Sequence, residues 1–239
     1  MKAEYVQHWG NDLIVVNAAR VSFDKESDWE STNEEGENIL SYKDRNLINF
    51  LAREGHTSCF EHMGATLRLK VPIFIARQIQ RHRTFSYNEV SRRYVDDEPE
   101  FFWPDKWRKR AENVKQGSSD EEVLDLTDVG KVTPEYEAKF GPRPPVHPQA
   151  YAEQWVAQMV HVYNEMLNSG VAPEQARMIL PQNMYTEFYM SGNLRAWAHF
   201  LHLRLDQHAQ KEVRDVAEKA EDILMPLFPV SMQALREHG

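Results

Sequence analysis

Apolar and polar positions in this chain fall into helical and strand periods separated by two aperiodic stretches. Residues 42–54 place Leu47, Ile48 and Leu51 on one side of a helical period, with Gly55 as the stop. Residues 65–71 change to period two. Ala65, Leu67, Leu69 and Val71 face one way and Thr66, Arg68 and Lys70 the other, predicting a half-buried strand. Pro72 then opens a helix over IFIARQIQR. Pro148 opens a longer one, with Tyr151, Trp155, Met159, Val162, Tyr163 and Met166 as its apolar stripe and Gly170 as its stop. Pro173 and Pro181 bracket a short helix, EQARMIL. A last long helix is expected from about Leu194 to Met225. Its buried stripe is Leu205, Ala209, Val213, Val216, Ala220 and Ile223, and Pro226 ends it. Helices with a few strands, lacking strand–helix–strand alternation, predict an α+β fold.

The aperiodic stretches are 24–38 and 96–147. The first holds seven acids against one base, Lys25, and the second is rich in proline and mixed charge. Both read as solvated insertions in a single domain spanning 1–239. They carry much of the net charge of -9, which argues against a general nucleic-acid binder. The single cysteine, Cys59, excludes an intramolecular disulfide and a cysteine-rich zinc site. No apolar run reaches membrane-spanning length and the N-terminus makes a poor signal peptide. The expectation is a cytoplasmic protein without a membrane partner.

Chemistry concentrates in Gln78–Tyr94. From Arg77 to Arg93 there are five arginines (Arg77, Arg81, Arg83, Arg92, Arg93) and one acid, Glu89. Like charges packed together call for an anion, and the planar guanidinium fork suits phosphate. Gln78 and Arg81, three apart, are expected on one helical face. His82, between two guanidiniums, is expected neutral. Charge alone leaves a phosphate, nucleotide or RNA site and a solvated basic turn equally open. His56, Glu61 and His62 lack the spacing of known zinc motifs; they read as polar structural or cofactor-contacting residues, and no metal site is expected. Arg195 with His199, and Arg204 with His208, sit one helical turn apart, and Arg177 is an isolated guanidinium among apolar residues. No glycine-rich phosphate loop is present.

The string RHRTFSYNEVS separates Arg81-His82-Arg83 from Ser91 by seven residues. It resembles the signature of the flavin-dependent thymidylate synthases, the ThyX family. NAARVSF, GHTSCFEH, PIFIARQIQRHR, ARMILP and LRLDQHAQ resemble family segments in the same order. The resemblance implies an α+β fold with helices around a small mixed or antiparallel sheet, assembled as a homotetramer with active sites at subunit contacts. It implies reductive methylation of dUMP to dTMP, with methylenetetrahydrofolate as carbon donor, FAD as cofactor and NADPH as electron donor. Family FAD contacts fall on Ser22, Ser58, Arg81, His82, Arg83, Glu89, Asn193, Arg195 and His199. Family dUMP contacts fall on Gln78, Arg81, Glu89, Ser91, Arg92, Arg93, Arg177 and Arg204. Arg204 is the expected catalytic residue, stabilising negative charge on the pyrimidine. Ser58 and Cys59 depart from the family's frequent threonine and proline. Because Cys59 lies in a segment resembling flavin contacts, a cysteine nucleophile at uracil C6 is disfavoured. Ser91 as a nucleophile lacks an assigned base.

Overall fold

The computed structural model describes residues 1–94, 98–112, 118–126, 138–139 and 146–238. These fall into two compact units. One comprises Met1–Val90 with Thr186–Gly239, the other Ser91–Tyr185.

The first unit is built on a four-stranded sheet in the order β1-β4-β8-β5: β1 Lys2–Trp9, β4 Gly64–Pro72, β8 Tyr185–Asn193 and β5 Ser86–Glu89. Strands β1 and β4 pair antiparallel, as do β5 and β8. The expected strand is β4, and its four apolar positions are all buried. Thr66, expected on the solvated side, is buried too, with its hydroxyl 2.8 Å from that of Ser191 on β8. A buried hydroxyl needs such a partner, and the neighbouring strand supplies it. Strand β8 shows the period-two pattern as well, burying Thr186, Phe188, Met190 and Gly192.

Helix α1 (Asp12–Arg20) is N-capped by the Asn11 side chain. Helix α2 (Tyr42–Arg53) matches the expected segment, burying Ile48 and Leu51. Between them the acidic stretch forms a minimal hairpin, β2 (Ser31–Thr32) with β3 (Asn38–Ile39), instead of an open loop. Asn33 closes it by accepting from the backbone of Glu35 and Glu37. Helix α3 (Ile73–Ile79) follows β4 directly and is shorter than expected, so Arg81 lies beyond the helix and does not share a face with Gln78.

The single long helix expected over 194–225 is two helices. Helix α6 (Leu194–Arg204) and helix α7 (Lys211–Leu227) are separated by a turn at 205–210. There the Asp206 carboxylate accepts from the His208 backbone at 2.7 Å, a local alternative to the helical ladder. His208 therefore does not share a helical face with Arg204. Pro226 lies inside the last turn of α7, which ends at Leu227. A final helix, α8 (Pro229–His238), is docked by Asp12, whose carboxylate accepts from the Val230 and Ser231 amides at 2.9 and 3.0 Å. Helices α3, α6 and α7 pack on β4, α7 also on β1, and α8 on α2. Trp197, Phe60, Phe188, Phe200 and Phe228 fill the core between these layers.

The second unit contains a hairpin, β6 (Arg108–Arg110) with β7 (Ser118–Glu122), within the stretch expected to be irregular. The rest of 96–147 lies partly outside the described residues. Helix α4 (Pro148–Asn168) starts at Pro148 as expected. Its stripe is not buried: Tyr163 is, but Trp155 (49% exposed), Met159 and Val162 face outward. The expected EQARMIL helix is a short turn of α-helix, α5 (Pro173–Ala176), running into a 3-10 turn at Arg177–Ile179. Among the described residues no helix is long and apolar enough to cross a membrane.

Candidate active site

The site in the first unit is organised by the turn after α3. Phe85 anchors this turn, its ring 4.8 Å from that of Trp197. Gly192 makes room for it, since a Cβ there would lie 2.5 Å from two Phe85 ring carbons. Tyr87 donates its hydroxyl to the carbonyls of Ile79 and His82, at 3.1 and 2.9 Å, and so ties β5 to the turn. Burial pushes this phenol up to about 12, so it remains a donor.

His82 is buried, edge-on to Phe200 at 5.1 Å and 5.9 Å from His199. Arg204, at the C-terminus of α6, donates Nε–H to His82 Nε2 at 3.0 Å and a second bond to the Gln78 carbonyl at 3.1 Å. Arginine only donates, so this imidazole is neutral and carries its proton on Nδ1. Burial, then Arg204 and His199, hold its pKa down to about 4. The neutral state matches the sequence expectation, but its causes are burial and Arg204 in place of the flanking Arg81 and Arg83. Those two side chains are exposed and, among the described residues, make no hydrogen bond or ion pair.

Two other expected residues, Asn193 and Arg195, sit at the start of α6. Asn193 caps it, accepting from the Ala196 amide at 2.9 Å. Arg195 pairs with Glu61 at 2.5 Å, which binds α6 to the 3-10 segment Thr57–Glu61 carrying Ser58. Helix α1 packs on that same segment and also on Val21–Phe23, where Ser22 is exposed. Glu89, on β5, has both carboxylate oxygens engaged, by Thr186 at 2.6 Å and Gln80 at 3.1 Å.

Ser91, Arg92, Arg93 and Arg177 belong to the second unit. The Ser91 hydroxyl accepts from Arg93 Nε at 3.2 Å, and the Arg93 guanidinium lies over the Tyr94 ring. A guanidinium cannot take the serine's proton, so this contact orients Arg93 and does not activate Ser91. Arg177 is exposed, with a long bond to the Glu174 carbonyl at 3.4 Å, and is not enclosed by apolar neighbours as expected.

Cys59 is buried and burial pushes its thiol up, the opposite of an activated nucleophile. Glu61, singled out in the sequence, anchors Arg195, and two polar residues missed by sequence reasoning are Gln210 and Glu212. Gln210 accepts from Gln78 Nε2 at 2.6 Å and donates to Glu212 at 2.9 Å.

The described donors fit FAD. Exposed guanidiniums at Arg81 and Arg83 and exposed hydroxyls at Ser22 and Ser58 are the groups a pyrophosphate and flavin carbonyls require.

Residues 4–230 match the family described as thymidylate synthase complementing protein. The chain is 38% identical over 238 residues to the flavin-dependent thymidylate synthase of Thermus thermophilus, covering 98% of this chain and 74% of that protein. It is 35% identical over 236 residues to that of Thermotoga neapolitana, covering 99% and 91%. Among solved structures it is similar to the UMP/dUMP methylase PolB of Streptomyces cacaoi bound with 5-Br dUMP. The TM-score there is 0.75 at 32% identity, covering 100% of this chain and 95% of that one. An α+β sheet-and-helix enzyme with an arginine-rich turn after its second long strand is thus defined by sequence and structure alike, and the chain belongs to the flavin-dependent thymidylate synthase family.

Proposed function

We propose that the chain converts dUMP to dTMP with methylenetetrahydrofolate as carbon donor, FAD as bound cofactor and NADPH as reductant, as a homotetramer and without a cysteine nucleophile. The observation that carries this reading is the seat of Arg204 on the neutral His82 and the Gln78 carbonyl, on the turn where the exposed Arg81 and Arg83 flank His82. When bound, FAD supplies the redox chemistry that a one-carbon transfer at the methyl level needs. Arg81, Arg83, Ser22 and Ser58 would hold it, with Asn193, Arg195 and His199 along α6 and His82 behind them. Glu89, its oxygens engaged, contributes by fixing β5 beside the turn.

Uracil C5 becomes nucleophilic when negative charge is pushed onto the ring from N3 and O4. Arg204 remains charged and is held by two bonds, so it can meet that charge without reorganising. A buried, high-pKa Cys59 offers no thiolate for C6. Ser91, Arg92, Arg93 and Arg177 are donors suited to the nucleotide phosphate. The homotetramer finds support in the outward Trp155, Met159 and Val162 of α4, an apolar stripe the chain alone leaves in water.

The likeness to PolB adds UMP as a second substrate reading. The test is one assay: purified protein with FAD, NADPH and methylenetetrahydrofolate, given dUMP or UMP. Formation of dTMP supports the first reading. Methylation of UMP alone supports the second, and no methylated product from either overturns both.

A further inference from the structure

Gln78, Gln210 and Glu212 form a chain of side-chain hydrogen bonds running away from the Arg204 seat. Gln78 Nε2 donates to Gln210 Oε1 at 2.6 Å, and Gln210 Nε2 donates to Glu212 Oε2 at 2.9 Å. Glu212 is buried in the first turn of α7, where the helix N-terminus favours a carboxylate. Gln210 is the N-cap residue of that helix, yet its side chain makes no capping bond.

The two ends of a glutamine amide differ in chemistry. A carboxylate only accepts, so Glu212 requires the amino group of Gln210 to face it. The Gln210 carbonyl then faces Gln78, and Gln78 must answer with its own amino group. What is left is Gln78 Oε1, which no donor among the described residues meets. An isolated glutamine could turn over to suit either kind of ligand. This one cannot without breaking the chain.

We propose that Glu212 and Gln210 are positioning residues that lock the Gln78 amide with its carbonyl oxygen toward the nucleotide, so that the group received there is a hydrogen-bond donor. The inference rests on the reading of Gln78 as a nucleotide contact. The nucleoside of dUMP carries two donors, uracil N3–H and the 3′-hydroxyl, while its O2 and O4 only accept. A site polarised in this way rejects a nucleotide whose facing group lacks the proton, because the half-buried amide oxygen is then left unpaired against another acceptor.

The test is dUMP titration of the FAD-loaded protein in three variants. Gln78→Glu sets a carboxylate against the Gln210 carbonyl that Glu212 holds in place, and dUMP affinity should fall by about tenfold or more. Glu212→Gln frees Gln210 to turn over. In the double variant Gln78→Glu, Glu212→Gln, the freed amide can donate to residue 78, and affinity should return to within about threefold of wild type. A double variant as weak as Gln78→Glu overturns the inference, since a merely structural role predicts no rescue. Should Glu212→Gln fail to fold, wild type and Gln78→Ala decide the matter with 3-methyl-dUMP and 2′,3′-dideoxyuridine monophosphate. One analogue should bind about tenfold more weakly than dUMP to wild type, with Gln78→Ala closing that gap. No such gap, or one that Gln78→Ala leaves open, overturns it. Wild type that binds no uridine nucleotide overturns the functional reading together with the inference, whereas dUMP binding without rescue overturns the inference alone.

Discussion

Arg204 and His82, 122 residues apart in the chain, meet through a 3.0 Å bond in which the guanidinium donates to a neutral imidazole. The pair keeps a half-buried cation in place without an opposing carboxylate among the described residues, so the full charge remains available to a ligand. Replacing Arg204 by Ala should lower dTMP formation by roughly a hundredfold to a thousandfold, as loss of one preorganised donor does. Flavin bleaching by NADPH under anaerobic conditions should change little, because no charge has yet developed on the pyrimidine. The two rates on one preparation check this, and an equal fall in both would assign Arg204 to flavin binding or structure.

The same pair predicts a pH response. The folded pKa of His82 is lowered to about 4 from the ordinary 6.5, so between those values the unfolded chain binds a proton that the folded one refuses. Stability therefore falls as pH drops from about 6.5 to about 4, by about 3 kcal/mol from this residue, and is unaffected by it above that window. Urea unfolding of wild type and His82→Gln across the window should show a shallower slope for the variant. Parallel slopes would mean that other groups govern the acid limb.

Cys59→Ser should keep catalytic activity within about threefold, as expected when the residue does no chemistry. Some loss of stability, about 1 kcal/mol, is expected from a hydroxyl in a buried site. Turnover and thermal melting on the same protein separate the effects. A loss of about a thousandfold in kcat, with FAD retained, would restore the cysteine route.

Asp12 holds α8 by accepting from two backbone amides. Asp12→Ala leaves both without a partner and should destabilise the chain by about 2–4 kcal/mol, measured by urea denaturation. Since α8 carries none of the candidate site residues, nucleotide binding by the folded fraction should persist.

Trp155→Asp on α4 tests the assembly. Placing a charge in the exposed apolar stripe should reduce a tetramer of about four chains to smaller species, read by light scattering at micromolar concentration. A wild type of about 28 kDa with full activity would refute the tetramer outright.

Much of the fold and site was legible because the signals are local. The β4 alternation, the Pro148 start and the arginine-rich turn are each contained in one short stretch. The period of α4 was legible but not its burial, since a stripe of Trp155, Met159 and Val162 reads the same against a core or a second subunit. The break between α6 and α7 was missed because Leu205 and Ala209 continue the apolar stripe, while Asp206 turns the backbone through its own carboxylate. Strand β8 alternates plainly, yet its small and polar Thr186 and Gly192 weaken the apolar contrast. The chain from Gln78 to Glu212 could not be read at all, because its partners stand more than 130 residues apart.

Strands β5 and β8 are neighbours in register, Glu89 opposite Phe188, and the Val90 amide donates to the Glu187 carbonyl. The chain leaves the first unit after Val90 and re-enters it at Thr186. Its exit and its return are therefore the two legs of one antiparallel ladder, where facing α-carbons stand about 5 Å apart. Topologically, Ser91–Tyr185 is an oversized hairpin loop, and an Asn-Gly turn could close the gap in its place. Such a pruned chain would retain the Arg204 seat, the exposed Arg81 and Arg83 and every flavin candidate, while shedding Ser91, Arg92, Arg93 and Arg177. On the proposed assignments, the flavin contacts and four of the nucleotide contacts thus lie in separate stretches of chain, divisible by one excision.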